Sequence, residues 1–188
     1  MKRLSLTISA MTLLLSFMRA QTDAEKAWMA YMTPSAIHKM IAKFNGEWKE
    51  DLTMWMTPGA PPTKSTSTCT NKMILNGLYQ ESIHTGNFNG MPFEGRGTMG
   101  YDNAKKIFVS TWIDNMGSGI SYMEGNYDEA SKTLTMKGKM VDPTTGKEMQ
   151  VRQVCKMIDD DNQLVEMYNT GADGKEFKSM EIKLTRKK

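Results

Sequence analysis

Cysteine and histidine are scarce: the 188 residues hold two of each. Cys69 and Cys155 are too few for a cysteine-rich zinc site. His38 and His84 have no carboxylate or second histidine at ligand spacing, so no metal is expected. The Gly-x-Ser-x-Gly nucleophile elbow and the His-Glu-x-x-His metal motif are both missing. After the first twenty residues no apolar run is long enough to cross a bilayer as a helix. An excess of charge is missing too. The formal net charge of +3 is carried by Lys2, Arg3 and Arg19, and residues 21–188 are formally neutral apart from histidine. Nothing in the charge balance points to a nucleic-acid partner. The cluster Arg186, Lys187, Lys188 reads as a solvated end.

What is present begins with a targeting pattern. Lys2 and Arg3 are basic, Leu4 to Met18 is mostly apolar, and Ala20 suits the position before a cleavage. Residues 1–20 are therefore expected to be an export signal, which places the protein in the periplasm or outside the cell. In that oxidising setting Cys69 and Cys155 are either a disulfide or two buried thiols on separate strands.

Residues 21–45 read as helical. Thr22-Asp23-Ala24-Glu25 matches a capping box, and Ala24, Ala27, Trp28 and Tyr31 recur at helical spacing. Thr33-Pro34 is expected to open a second helix carrying Ile37, Met40, Ile41 and Phe44, which Asn45-Gly46 stops. The apolar stripe of this segment is expected to cover one end of the remaining domain. His38 sits beside that stripe and reads as a solvated flank.

Residues 46–188 change pattern. Turn chemistry recurs at Pro58-Gly59 to Pro62, Asn76-Gly77, Asn87 to Gly90, Asp102-Asn103 and Asn115 to Gly117. It continues at Asp128 to Ser131, Asp142-Pro143 to Gly146, Asp159 to Asn162 and Asp173-Gly174. Between these lie segments such as Ile107 to Ile113, rich in β-branched and aromatic residues, and Thr133 to Met140, which alternates. No helical block separates them, so parallel crossovers are excluded. The expected fold is mainly β: an antiparallel meander of roughly ten strands with short N-terminal helices. Closing into a barrel removes its two edges, and a sandwich is the alternative.

Candidate functional residues emerge from the alternation. His84 shares a face with Gln80 and Ser82; turned inward, that face makes His84 a ligand or a base in a cavity. The glycine-dense stretch Asn89 to Gly100 has no strand–turn–helix setting for phosphate and reads as curvature and close backbone approach. Within it Glu94 and Arg96 share a face and suit either an ion pair or contact with a polar ligand group. Asp159-Asp160-Asp161-Asn162 lacks the central glycine and final glutamate of a calcium loop. Methionine, at 19 residues, is the compositional excess; it lines adaptable apolar surfaces or fills an ordinary core.

The stretch GMPFEGRGTMGYDNAKKIFVSTWIDNMGSGI, with GKMVDPTTGKEM and DGKEFKSMEIKLTRK, resembles an uncharacterised bacterial family, domain of unknown function 1579. The resemblance spans roughly Trp48 to Lys187. It implies a calycin-like (lipocalin-like) β-barrel, usually exported, and implies no activity or catalytic residue. A more distant similarity is to ten-strand haem barrels of the nitrobindin type. Gly46-Glu47-Trp48-Lys49-Glu50-Asp51 keeps only the first half of their Gly-x-Trp-x-Gly-x-Gly motif, and no histidine comes after His84, so no cofactor is expected.

These readings lead to a binding protein that holds a small, largely apolar ligand in the barrel. Trp48, Met99, Tyr101, Trp112 and Met123 are the expected cavity or rim residues, and His84, Glu94 and Arg96 the polar contacts. The alternatives are an envelope protein-interaction module without a cavity, and an enzyme using His84, Glu81, Glu94 or Asp114. Oligomeric state stays open.

Overall fold

The computed structural model describes residues 22–171 and 173–188; the expected export signal lies outside them. Among the described residues, two α-helices, α1 (Asp23–Met32) and α2 (Ala36–Ala42), precede ten strands. These are β1 (Gly46–Met54), β2 (Thr63–Ile74), β3 (Tyr79–Phe88), β4 (Met91–Asp102), β5 (Ile107–Asp114), β6 (Ser121–Asp128), β7 (Thr133–Val141), β8 (Glu148–Met157), β9 (Asn162–Thr170) and β10 (Glu176–Arg186). Each strand pairs antiparallel with the next, and β1 pairs with β10, closing a barrel. Every turn cluster read from the sequence falls at a connection between consecutive strands.

Closure makes the two-residue alternation a choice between inside and outside. On β1, Trp48 and Glu50 are buried while Lys49 and Asp51 are exposed. On β7, Leu134 and Met136 are buried and Lys137 is exposed. One interior cluster joins Phe108, Met123, Leu134, Met136 and Val151 to Ile41 of α2; a second joins Trp48, Cys69 and Leu184. Each such large apolar side chain contributes roughly 1.5–3 kcal/mol by leaving water.

The helix α2 plugs one end of the barrel. Its start differs from the expected one: Ser35, not Thr33, is the cap. His38 reaches back, with Nδ1 accepting from the Ser35 backbone N–H at 3.0 Å. His38 is 2 % exposed, so it is a buried residue of the plug and not a solvated flank. The far end of the plug is held by side chains of the barrel. Gln80 Nε2 donates to the Ile41 carbonyl, and both Asn71 Nδ2 and Trp48 Nε1 donate to the Phe44 carbonyl. Arg186 donates to the Lys43 and Asn45 carbonyls and lies 4.3 Å above the Trp48 ring. Carbonyls at and just beyond the C-terminal end of α2 thereby gain side-chain donors from the barrel. Arg186, read from the sequence as part of a solvated tail, is a clasp between β10 and the plug.

The helix α1 has its expected capping box, Thr22 with Glu25. Its apolar stripe is not covered: no α1 residue is buried, and Trp28, Met29, Tyr31 and Met32 are exposed. What holds α1 is polar, since Asn103 Nδ2 donates to carbonyls of Ala30, Tyr31 and Thr33. The covering role expected of the whole helical segment falls to α2 alone.

Burial lowers the His38 pKa below its ordinary 6.5, with the Tyr101 backbone opposing that shift. As pH falls, the unfolded chain therefore takes up this proton first. The contribution of His38 to stability is present above about pH 6.5 and declines as pH falls toward its folded value. The difference in unfolding free energy between the wild type and His38→Gln should shrink below that pH, with a slope no steeper than about 1.4 kcal/mol per pH unit. Urea unfolding of both proteins across pH 5 to 8 checks it; a pH-independent difference contradicts it.

Candidate functional site

The first three strands turn a polar face inward. Strand pairing sets Glu50 opposite Ser67, and Cys69 opposite both Trp48 and His84. Their side chains converge midway along the barrel. His84 Nδ1 lies 3.0 and 3.1 Å from the two Glu50 oxygens, and Ser67 Oγ donates to Glu50 Oε2. His84 Nε2 lies 3.5 Å from Cys69 Sγ, which donates to Asn71 Oδ1 at 3.0 Å. Because Asn71 Nδ2 donates to the Phe44 carbonyl, its oxygen is the atom that faces the thiol. The result is a continuous hydrogen-bonded chain from the helical plug to Ser67.

Burial makes this chain consequential. The Glu50 side chain is 2 % exposed, and among the described residues the only basic side chain bonded to it is His84, itself 16 % exposed. A carboxylate held that deep is tolerable only if its oxygens are bonded, as Ser67 and His84 bond them. Burial, reinforced by the negative charge of Glu50, pushes the Cys69 thiol well above its ordinary pKa, so it stands as a neutral S–H donor. It is not poised as a free nucleophile.

Glycine shapes the neighbouring wall. Gly95 and Gly97 are the inward positions of β4 opposite His84 and Ser82. A Cβ on Gly95 would meet the Trp112 ring at 2.4 Å, and one on Gly97 would meet Ser82 Oγ at 2.5 Å. Their absence lets the Trp112 indole lie against β4 and reach His84 edge-on, with ring centroids 4.9 Å apart. Trp112 Nε1 donates to Asp114 at 2.7 Å, which locks the indole in place. The close backbone approach expected of this stretch is thus what seats an aromatic ring in the site.

The expected contacts divide. His84 and Trp112 come together in the site. Trp48 is fully buried beneath Phe44 and Arg186, and Met99, Tyr101 and Met123 pack at the plugged end. Tyr101 also lines an open depression of about 220 Å³ beside Ile37 and Phe108. Glu94 and Arg96 do not contact the interior: they flank Gly95 on the outer face, are half exposed, and pair with each other at 2.9 Å. Glu81 likewise alternates with the inward residues of β3, whereas Asp114 faces inward and is engaged by Trp112. The disulfide alternative is not realised. Cys69 and Cys155 are both free thiols, on β2 and β8, strands that are not neighbours in the barrel. Sequence reasoning missed Glu50, Ser67 and Asn71. The available signal was Glu50 two residues after Trp48, a charge on the face of a core tryptophan.

The opposite wall is apolar. Met123, Met136 and Val151 are buried there, and Val165 and Met167 of β9 stay partly accessible. On the same face of β9, Gln163 Nε2 and Asn169 Oδ1 are buried without a hydrogen-bond partner among the described residues.

The profile of a family described as "Protein of unknown function (DUF1579)" matches residues 33–186. The chain belongs to that family. Among solved structures, this DUF1579 chain is similar to Rv2717c from M. tuberculosis, at 11% identity and a TM-score of 0.63, covering 83% of this chain and all of that one. That likeness concerns the fold alone. A redesigned β-barrel matches at 13% identity and a TM-score of 0.43, over 82% of this chain and 100% of its own. No curated protein matches.

Two substitutions test this arrangement in the DUF1579 barrel. Gly95→Val pushes the Trp112 ring off β4 and should cost about 1–3 kcal/mol, with altered tryptophan fluorescence in the folded state. His84→Leu leaves Glu50 with Ser67 alone and should cost about 3 kcal/mol in urea unfolding. The double variant Glu50→Gln, His84→Leu should be more stable than His84→Leu, because it removes the stranded charge. Equal stability of the two contradicts the buried pairing.

Proposed function

We propose that this is an exported protein that holds a small amphipathic molecule inside the barrel. The observation that carries this reading is the two-sided interior: the bonded cluster of Glu50, Ser67, Cys69 and His84 shares the barrel with an apolar side in which Met123 and Met136 are packed and Val165 and Met167 of β9 stay partly accessible. A ten-strand barrel is wider than its own side chains readily fill. The unpartnered Gln163 and Asn169 atoms on the inner face of β9 supply donors and acceptors that a guest or bound water would satisfy. In this reading the apolar part of the guest lies against Val165 and Met167, and a hydrogen-bonding end meets His84 and Trp112. Access is from the end opposite α2, where Trp55, Pro58 and Phe177 border an open depression of about 270 Å³. Export rests on the basic start and apolar run of residues 1–20.

Native mass spectrometry of the protein purified from its own source tests this reading. The expected result is a mass excess that disappears on denaturation, with the released molecule carrying both an apolar chain and a polar group. A bare mass, unchanged after incubation with an organic extract of the source cells, contradicts it.

A further inference from the structure

The polar cluster has a property that small-molecule binding does not use. One donor atom each from Glu50, Cys69 and His84 lies within 4.8 Å of the other two, and Glu50 and Cys69 are buried. The three come from three adjacent strands, β1, β2 and β3, so the hydrogen-bonded sheet fixes their spacing. Thiolate, imidazole and carboxylate are the donor types that zinc-class divalent ions take, with metal–sulfur near 2.3 Å and metal–nitrogen near 2.0–2.1 Å. With those bond lengths, a tetrahedral ion separates sulfur from nitrogen by about 3.5 Å. Cys69 Sγ and His84 Nε2 are 3.5 Å apart.

From this arrangement we infer that Cys69, His84 and Glu50 form a binding site for a zinc-class divalent cation, with its fourth position open to the barrel interior. Charge supports it. A divalent ion against one carboxylate and one thiolate sums to zero, which suits a dry interior better than a lone carboxylate does. His84 now bonds Glu50 through Nδ1 and Cys69 through Nε2, opposite edges of the ring, so a shared ion takes one of these nitrogens and requires the imidazole to turn toward the side where the Glu50 and Cys69 donor atoms approach within 4.8 Å. Binding displaces the thiol proton to solvent: the S–H bond breaks, the metal–sulfur bond forms, and no electron is transferred. The competing use of the same residues is a cysteine nucleophile with His84 as base and Glu50 as its orienter. The surroundings oppose it, because the thiol is buried, donates to Asn71 and stands beside a negative charge.

The test is titration of the purified, chelator-treated protein with Co²⁺ and then Zn²⁺, monitored by absorbance and calorimetry. The inference predicts one Co²⁺ per chain, a thiolate-to-metal charge-transfer band with tetrahedral visible bands, and displacement by Zn²⁺ with proton release. Cys69→Ser should abolish the charge-transfer band, and His84→Gln should weaken affinity at least tenfold. Cys155→Ser, which alters a thiol outside the cluster, should leave both unchanged. Circular dichroism of each variant separates loss of the site from loss of the fold, and the near-isosteric Cys69→Ser keeps the comparison valid if His84→Gln unfolds. Absence of the band in the folded wild type overturns the inference, as does a band that survives Cys69→Ser. So does rapid alkylation of Cys69 by iodoacetamide that Zn²⁺ does not slow, which would instead mark a free nucleophile.

Discussion

The pairing of β1 with β10 is the constraint on which the remaining structure depends. A ten-strand meander left open would offer two edges to other chains; closed, it offers none. Closure also converts alternation along each strand into a strict division between interior and solvent. Everything distinctive about the molecule depends on which residues that division sends inward. Glu50 enters because Trp48 does, two residues earlier on the same strand. Cys69 and His84 enter because the registers of β2 and β3 set them beside Trp48 and each other.

An interior assembled this way is not an ordinary core. Its apolar half resembles one, with Leu134 and Met136 almost fully buried. Its polar half would be unfavourable without satisfied partners, and the structure supplies them in sequence, from the Phe44 carbonyl through Asn71, Cys69 and His84 to Glu50 and Ser67. Retaining such a chain costs desolvation that an apolar replacement would avoid. That cost makes sense for a protein whose interior receives something polar, and it links the proposed guest and the inferred cation site to one set of side chains. The plug α2 belongs to the same network, so the closed end of the barrel and the site are coupled through Asn71.

The strands are legible in the sequence because glycine, asparagine, aspartate and proline punctuate it at every hairpin, and turn chemistry is local. The inward polar face of β3 is legible for the same reason: Gln80, Ser82 and His84 alternate without interruption. On β4 the alternation is obscured, because the inward positions are Gly95 and Gly97, which carry no side chain to reveal their face. Glu94 and Arg96 therefore read as ligand contacts in the sequence, although they belong to the outer surface. The role of Arg186 is hidden because it depends on α2, well over a hundred residues earlier in the chain. The exposed stripe of α1 shows the complementary failure: periodicity identifies a helix and its apolar face but not whether anything covers it.

His84 sits inside the barrel, bonded between Glu50 and Cys69 against Trp112. Long-range ¹⁵N–¹H correlation of the histidine rings, with His38→Gln to assign them, tests this placement most directly. The expected result is a His84 Nδ1 proton protected from solvent exchange, and nuclear Overhauser contacts from the His84 ring to the Trp112 indole. Ring nitrogens that exchange freely, with no contact to Trp112, would contradict it.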